Sequence, residues 1–409
     1  MPASTRLSIR TRALKTALAV YAVATLVSMA AMSIAAALLI LVILFQFSSF
    51  QELKSRVCSE IKKPASKMYF ALSCLLTLAC ATSLLFAKLY PMGYGGEFVN
   101  VHFFRDMAKV WYFFWPLLLV IGLKQLDEKD QHSVFKSWLA GFFILSLIGI
   151  LQHFIGWPRP QFIPTQPNYF HTTLFLGHHL SVASIFIFPF FMSLDMVWQS
   201  RHKKRFPLTC CVAAAGLLAL FFTYSRMLWI ALPVGLFVWI LLRLKGKRRV
   251  WVALIAMIAA FAFFQNSTIQ LRFKDAMGVQ TRFDLWQANL EFFKARPLTG
   301  VGWHHNLELS GFYLQEKTHS KDVFSGHAHN NLLDVLSTLG LFGLFSILLW
   351  YGFLIFAVLK RQRDLKPIDF SRGLACAWIV FHLNGLTQLN LWEAKIEHQI
   401  AWVIAWTLL

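Results

Sequence analysis

The sequence contains few charged residues and, among these, few acidic ones. Asp, Glu, Lys and Arg make up 14% of the 409 residues, against 57% hydrophobic residues and a mean hydropathy of +0.56. Because soluble domains carry about 25% charged residues, this composition excludes an ordinary soluble domain. The net charge is +20. Nucleic acid is nevertheless not an expected partner, because the positive charges stand in short clusters between apolar runs, as membrane topology requires.

The motifs of several enzyme classes are also absent. There is no Walker phosphate loop, no GxSxG nucleophile elbow, no HExxH and no DxD pair. The six cysteines form no CxxC, and five of them lie in apolar runs, where a thiol packs as a small hydrophobic group. His327 and His329, even with the distant pair His304-His305, make a poor metal site. We therefore expect no cofactor, no metal and no disulfide.

The sequence is instead rich in long apolar runs. A membrane-spanning helix needs about 20 apolar residues. Candidate runs lie at 17–47, 68–89, 108–123, 137–157, 179–198, 207–224, 227–242, 250–265, 332–359, 373–390 and 398–409. The first run is too long for one helix and is basic at both ends, which favours two short helices with a turn near Ser28–Ser33. The sequence thus predicts an all-α polytopic membrane protein with about twelve segments.

The basic clusters predict the orientation of these segments. They are Arg6–Lys15, Lys54–Lys67, Lys124–Lys136, Arg201–Arg205, Arg243–Arg249 and Lys360–Arg372. Short cytoplasmic loops carry an excess of Lys and Arg, and twelve segments with a cytoplasmic N-terminus place all six clusters on that side. The long connection 266–331 then lies outside, and its seven Lys or Arg against six Asp or Glu show no such excess. We predict one membrane domain, residues 1–409, with cytoplasmic termini and one large external loop.

The predicted external loop has a helical period of its own. Four side chains share one helical face, namely Phe283, Trp286, Leu290 and Phe293. The dipeptide Arg296-Pro297 would end this helix, and a Gly-Val-Gly turn follows at 300–302. We expect the amphipathic helix to lie along the membrane surface or to cap the transmembrane bundle.

A polar stretch, His327-Ala328-His329-Asn330-Asn331, closes the loop just before the apolar run 332–359. Asn330 or Asn331 can cap the helix, and Asp334 suits its positive end. Such a helix N-terminus at the membrane–water boundary favours an anion such as a phosphate, and histidine exchanges protons near neutral pH. The alternative is that these residues only cap a helix in interfacial water.

Three arginines fall on the same predicted side. Arg226 stands in a connection so short that it lies at or inside the membrane edge, where a charge is costly unless it faces a partner or a cavity. Arg282 begins the loop helix, and Arg159 lies between two prolines. Each of them could instead pair with lipid headgroups. Arginine binds a diphosphate through paired hydrogen bonds, and a histidine near arginines suits a general base. These residues indicate a membrane enzyme that acts on a phosphorylated lipid at its external face.

Residues 327–343, HAHNNLLDVLSTLGLFG, resemble the HxHN…LxxxGxxG signature of the O-antigen ligase and polymerase superfamily. Three further features agree with this resemblance: Tyr224-Ser225-Arg226 before an apolar helix, Arg282 with Trp286 and the stretch RPLTGVG at 296–302, and about twelve segments with one large loop late in the chain. The order of elements resembles the family over most of the chain, and the motifs cluster in 220–345.

The resemblance implies a fold like that of the lipid-donor, GT-C type glycosyltransferases in the bacterial inner membrane, with the site facing the periplasm. It implies inverting transfer of O-antigen from undecaprenyl diphosphate, the donor, to a sugar hydroxyl of the lipid A–core, the acceptor, among membrane lipids and without a cofactor. By match to the family's motifs, His329 would be the catalytic residue, and Arg226 and Arg282 would bind the diphosphate. From their position alone, Arg159 is added to the diphosphate site and His327 to the residues that support catalysis, and Asn330 and Asn331 would support the site as well.

Several alternatives stay open. An O-antigen polymerase uses the same donor but a second lipid-linked chain as acceptor. An O-linked oligosaccharyltransferase would glycosylate protein, but members of that branch usually carry an extra soluble C-terminal region, which we do not expect where the sequence ends in an apolar run. A transporter or flippase would need polar residues deep in several helices. The candidates for that are Asp195, His382, Asn384 and Gln388. A transporter would also leave the external cluster unexplained.

Overall fold

The computed structural model describes residues 3–164, 166–244, 246–265, 267, 270–271, 277–320, 322–361 and 370–409. In these residues the α-helices are α1 (Ala3–Val27), α2 (Met29–Gln46), α3 (Phe50–Ile61), α4 (Pro64–Leu89), α5 (Phe103–Met107), α6 (Trp115–Leu123), α7 (Glu128–Ile155), α8 (His179–Ser200), α9 (Phe206–Phe221), α10 (Arg226–Arg243), α11 (Lys247–Phe264), α12 (Met277–Ala295), α13 (Asn306–Thr318), α14 (Asn331–Arg361), α15 (Ser371–Asn384) and α16 (Ala394–Leu408). Two 3₁₀ helices lie at Ala108–Phe113 and Leu174–Leu176. The strands pair as two antiparallel hairpins, β1 (Gly93–Tyr94) with β2 (Glu97–Phe98) and β3 (Phe162–Ile163) with β4 (Gln166–Phe170).

The helices have the length and composition of a polytopic membrane protein. Seven described segments are long and apolar enough to cross a membrane: Met29–Gln46, Pro64–Leu89, Phe103–Leu123, Glu128–Ile155, His179–Ser200, Arg226–Arg243 and Asn331–Lys360. The apolar helix α9 is shorter. The predicted class of helical membrane protein is therefore confirmed. The predicted count of about twelve segments is not confirmed by the described residues. Part of the predicted loop 266–331 lies outside the described residues.

The first apolar run is divided where the sequence predicted a turn. Helix α1 ends at Val27, and Ser28 caps α2, its Oγ accepting a hydrogen bond of 3.2 Å from the Ala31 N–H. A serine cap satisfies a backbone donor that the first turn of a helix leaves unpaired. The two helices pack against each other as a hairpin.

Helix α14 is broken at Gly340, whereas the sequence predicted one continuous segment at 332–359. Gly340 has φ 63° and ψ −161°, outside the helical region. The break frees backbone groups of α14, and the RPLTGVG segment takes them up. Four backbone hydrogen bonds join this segment to α14: Leu341 N to Pro297 O (2.8 Å), Phe342 N to Leu298 O (3.3 Å), Val301 N to Ser337 O (2.9 Å) and Gly302 N to Thr338 O (3.3 Å). Hydropathy alone does not reveal the break, because its partners lie some 40 positions away in the sequence.

Two glycines permit this close backbone approach. A Cβ at Gly340 would lie 2.4 Å from the Leu298 carbonyl carbon, and a Cβ at Gly300 would lie 2.2 Å from the Thr338 carbonyl carbon. Both glycines also have a positive φ, which other residues adopt at a cost. The motif that carried the family resemblance is thus a backbone clamp on α14.

We expect Gly340→Ala to destabilise the protein by roughly 2 kcal/mol or more, since a left-handed φ costs about 1–3 kcal/mol and the new Cβ also overlaps a carbonyl group. The matched control is Gly352→Ala in the same helix, where a Cβ meets nothing within 4 Å. That variant should be neutral or gain up to about 1 kcal/mol from helix propensity. Thermal unfolding of the detergent-solubilised protein measures both, and equal midpoints for the two variants would contradict the clamp.

Helix α12 packs on α14, but not through the face that the periodicity indicated. Leu285, Ala288 and Phe292 are fully buried, whereas Phe283 and Leu290 of the predicted face are 53% and 41% exposed. The helix carries two apolar stripes, and only its packing on α14 decides which one is buried. The predicted end near Arg296-Pro297 is confirmed. The range of the predicted loop also contains α13, which the sequence did not predict.

A buried polar network ties the loop helices to the start of α14. The Asn306 side chain on α13 donates to Asn289 Oδ1 on α12 (2.8 Å) and to Asp334 Oδ1 on α14 (2.7 Å). Ser337 Oγ donates to Asn289 Oδ1 as well (2.6 Å). All four residues are buried. Because an unpaired polar group is costly in such a place, the network fixes α12 and α13 relative to the residues that precede α14.

At the other end of the bundle, a buried ion pair joins α8 to α10. Asp195 is fully buried and accepts hydrogen bonds from Arg243, from Trp239 Nε1 (2.7 Å) and from the backbone N–H of Gly373 (2.7 Å). Asn384, another candidate for a transport path, donates to Ser184 Oγ (3.2 Å). Asp195 therefore has several partners within the helix bundle, whereas Asn384 has one for its amide nitrogen and none, among the described residues, for its Oδ1.

Candidate active site

The N-terminus of α14 has a defined cap. Asn330 Oδ1 accepts hydrogen bonds from the N–H groups of Leu332 (2.9 Å) and Leu333 (3.1 Å), so Asn330 is the cap among the two predicted candidates. Asn331 exchanges two hydrogen bonds with Asn390, from Asn331 Nδ2 to Asn390 Oδ1 (2.6 Å) and from Asn390 N to Asn331 Oδ1 (3.0 Å). Asn331 therefore attaches the start of α14 to the segment between α15 and α16.

The two histidines before this cap lie against each other. The ring centroids of His327 and His329 are 4.1 Å apart, and the fully buried Ala328 stands between them. His329 has φ 46°, and its N–H donates to His327 Nδ1 (3.1 Å). Since Nδ1 accepts, a neutral His327 carries its proton on Nε2. The left-handed backbone at His329 thus brings two imidazoles together within three residues.

The surroundings of His329 keep its ring neutral. Burial, followed by the charges of His327 and Arg282, lowers the pKa of His329 to about 3. Burial and the charge of His178 lower the pKa of His327 to about 4. His329 Nδ1 is buried and has no hydrogen-bond partner among the described residues, whereas a hydrogen-bonding interaction of the ring with the buried Gln388 side chain opposes the effect of burial and raises the pKa. The site therefore presents a neutral imidazole whose Nδ1 is unpartnered among the described residues.

The structure adds residues that the sequence analysis did not assign to this site. His178 lies within electrostatic reach of both His327 and His329, and His304 lies within reach of His327. Burial lowers the pKa of His304 to about 3, and its Nε2 has no partner in the described part of the chain. The sequence did contain a signal for His178, because a histidine pair, 178–179, stands before an apolar run much as His327 and His329 do.

One carboxyl group also borders the site. Glu393, the N-cap of α16, accepts a hydrogen bond from Ser181 Oγ, one turn after His178. Burial raises the pKa of Glu393, and Lys395 lies within electrostatic reach of both Glu393 and His178. The sequence analysis did not identify this residue, because the short polar stretch around it separates two apolar runs and matches no motif.

The three predicted arginines differ in how the structure relates them to the histidines. Arg282 is half-buried on α12, and its charge reaches the His329 ring. The exposed Arg159 lies against Gly177, next to His178 in the chain. A Cβ at Gly177 would be 2.7 Å from Arg159 Nη1. Both arginines therefore border the histidine cluster, although they are more than 100 residues apart in the sequence.

Arg226 connects to the cluster less directly. It begins α10, three residues after Thr223, whose carbonyl contacts His171 Nδ1 at 3.0 Å. The His171 ring stacks on His179 with centroids 4.2 Å apart, and His179 lies 5.0 Å from His178. Three imidazoles, of His171, His179 and His178, thus lie in a row beside the start of α10, and His178 is within electrostatic reach of His327 and His329.

Several helix N-termini meet at this end of the bundle. His178 precedes α8, Ser225 precedes α10, Asn330 precedes α14 and Glu393 precedes α16. Each N-terminus carries a partial positive charge from its aligned peptide dipoles, and arginine adds full charges. Together with neutral imidazoles, this arrangement can hold an anion and accept a proton beside it.

The fold and this cluster define a polytopic helical membrane protein with an electropositive, histidine-containing site at one end of its bundle. Residues 211–348 match the family model described as O-antigen ligase. This match confirms the resemblance that the motifs indicated. The matched range contains Arg226, Arg282 and the stretch 327–331, whereas Arg159 and His178 lie outside it.

Two curated proteins are similar to the chain over part of its length. The teichuronic acid biosynthesis protein TuaE of Bacillus subtilis is 22% identical over 294 residues, which are 67% of this chain and 59% of that protein. A Rickettsia felis protein named "Putative polysaccharide ligase" is 25% identical over 130 residues, 30% of each chain. The chain thus covers less than two thirds of the length of either relative.

Proposed function

We propose that the chain is an O-antigen ligase, which transfers O-antigen polysaccharide from undecaprenyl diphosphate to a sugar hydroxyl of the lipid A–core with inversion at the anomeric carbon. The observation that carries this proposal is a neutral His329 within electrostatic reach of Arg282, beside the capped N-terminus of α14. All of these residues lie inside the range that matches the family. In the proposed orientation, this end of the bundle faces the periplasm.

The donor's diphosphate is the leaving group of the proposed reaction. As the bond to the anomeric carbon breaks, negative charge develops on the diphosphate oxygen. Arg282 and Arg226 would bind that charge, with Arg159 at the rim, and the positive N-terminus of α14 supports them. Cationic groups fixed where charge develops stabilise the transition state more than the ground state.

His329 would act on the acceptor. Its Nδ1, which makes no hydrogen bond with the described residues, takes the proton of the acceptor hydroxyl while the oxygen attacks the anomeric carbon. The neutral ring is in the correct protonation state for this step. An anionic diphosphate bound nearby would raise the pKa of His329 and make it a stronger base. His327, whose Nδ1 is engaged by the His329 N–H, holds the backbone in this conformation.

The pKa of His329 gives the proposed reaction an unusual pH dependence. A base must be unprotonated, and a pKa of about 3 in the free protein leaves His329 unprotonated above that pH. We therefore expect kcat/KM, which reports the free enzyme, to show no acidic limb near 6.5 and to remain level from about pH 8 down to about pH 5. Initial rates measured across this range test the expectation. An acidic limb centred near 6.5 in the wild type would contradict this assignment of the base.

Complementation in a bacterium that lacks its own ligase tests the proposed function. The strain needs a compatible lipid A–core, and its lipopolysaccharide is separated on a gel. The wild-type chain should restore the high-mass ladder on lipid A–core, and His329→Asn at equal membrane abundance should not. Lengthening of lipid-linked chains without ladder transfer would instead establish a polymerase, and glycosylated protein an oligosaccharyltransferase. Against the transporter alternative, Asp195 is held in a buried ion pair with Arg243, and the Asn384 amide nitrogen donates to Ser184 Oγ.

A further inference from the structure

We propose that a groove between α7 and α9 binds one acidic phospholipid of the surrounding membrane, at the end of the bundle opposite the histidine cluster. The groove has a volume of about 330 Å³. One wall is formed by α7, the other by Arg205 and α9, and residues of α8 close the floor.

The two walls of the groove have matching helical spacing. On α7 the lining positions are 136, 139, 140 and 143, and on the other wall they are 205, 208, 209 and 212. Both sets follow the i, i+3, i+4, i+7 pattern of one helical face. Both helices run from this end of the bundle toward the histidine cluster, so their first members, Lys136 and Arg205, stand side by side at the mouth. The apolar walls extend about 10 Å further, the length of seven helical residues.

The groove is open on the side where membrane lipid would lie. Ala140 and Leu208 are exposed, Leu208 by 61%, and Phe143 is half-buried between the walls. An apolar channel of this kind, open along its length, matches the shape of an acyl chain. A small soluble anion would contact only the mouth and would leave the walls unfilled, which favours a lipid as the occupant.

The mouth of the groove has the chemistry of a headgroup site. Lys136 and Arg205 are exposed cations, and the cleft between them continues toward His132 and Gln199. The loop from 201 to 204 adds three more exposed basic residues beside the mouth. Basic residues at a membrane surface attract anionic lipids, whereas a zwitterionic headgroup carries no net charge. The charge of the mouth therefore selects an acidic phospholipid. The inference does not depend on the proposed glycosyl transfer, which takes place at the other end of these helices.

Native mass spectrometry of the purified full-length protein with added phosphatidylglycerol or phosphatidylcholine tests this site. We expect the wild type to retain phosphatidylglycerol preferentially. The double variant Lys136→Gln/Arg205→Gln should lose about tenfold to thirtyfold in that affinity, since each cation beside an anionic lipid contributes roughly a factor of five. The comparison variant, Lys203→Gln/Lys204→Gln, removes the same charge from the adjacent loop, outside the groove lining, and should lose distinctly less affinity than the groove variant.

A second variant tests the acyl groove and leaves the charges in place. Ala140→Phe fills the channel from its open side, so we expect weaker binding of phosphatidylglycerol with an unchanged thermal midpoint in lipid-free detergent. Two results would overturn the proposal. One is an equal loss of phosphatidylglycerol affinity in the two charge variants, which would mean that the basic loop attracts anionic lipid without a specific groove. The other is equal affinity of the wild type for phosphatidylcholine and phosphatidylglycerol.

Discussion

Replacing His329 with asparagine will lower the rate of glycan transfer by about 10²–10⁴-fold, the range that a general base contributes. Asparagine is the appropriate substitute because it adopts the left-handed backbone that His329 requires at φ 46° and removes the imidazole alone. The measurement is the initial rate of transfer by purified protein under saturating donor. The loss should appear in kcat, because the proton is transferred in the transition state.

His319 provides the matched control for this substitution. It also has a left-handed backbone, φ 54°, and lies in the same loop, where its ring is exposed at the end of α13. His319→Asn should therefore retain the wild-type rate within about twofold, as surface substitutions usually do. If both variants lost activity equally, the loss would come from the loop backbone, and His329 would have no role as a base.

Replacing Arg282 with alanine will lower kcat by about 10²–10³-fold, comparable to the loss of one group that stabilises developing charge in a preorganised site. Arg282 is half-buried, and its charge already acts on the His329 ring, so it is close enough to act on an anion bound beside that ring. Arg282→Lys should recover part of the loss, because lysine keeps the charge but not the paired donors that fit a diphosphate. Rates for the three proteins, measured in one membrane preparation at equal abundance, give the comparison.

Substitutions of two other cations serve as controls for Arg282→Ala. Lys294 lies on the same helix in an exposed ion pair with Glu291 (2.9 Å), and Lys294→Ala should change the rate by less than about twofold. Arg159→Ala should cost less than Arg282→Ala, because Arg159 is exposed at the rim of the cluster. A loss for Lys294→Ala as large as that for Arg282→Ala would show that the rate depends on overall loop charge.

The sequence predicted those parts of the fold that depend on local patterns. Hydropathy identified a helical membrane protein, and the basic residues flanking the first apolar run predicted the hairpin that Ser28 divides. The cap of α14 followed from Asn330 standing before an apolar run. In each case the signal lies within a few residues of the feature that it predicts, which is the range over which capping and periodicity act.

Contacts between distant segments were beyond the reach of the same patterns. The break at Gly340 depends on backbone groups of the RPLTGVG segment, and the buried face of α12 depends on packing against α14. The contribution of His178 and Gln388 to the histidine cluster depends on α8 and the segment after α15 coming together. No local period encodes these distances, so the sequence could predict that His327 and His329 stand beside a helix N-terminus, but not which other side chains surround them.

Turnover of a defined lipid-linked glycan by the purified protein tests the central proposal most directly. The reaction contains an undecaprenyl-diphosphate-linked glycan and lipid A–core, and mass spectrometry follows free undecaprenyl diphosphate and glycosylated lipid A–core. We expect His319→Asn to form the two products in the same amounts as the wild type does. His329→Asn and Arg282→Ala should form almost none of either product. Turnover by His329→Asn at the wild-type rate, or no release of undecaprenyl diphosphate by the wild type with either lipid A–core or a second lipid-linked chain as acceptor, would contradict the assignment of glycosyl transfer to this site.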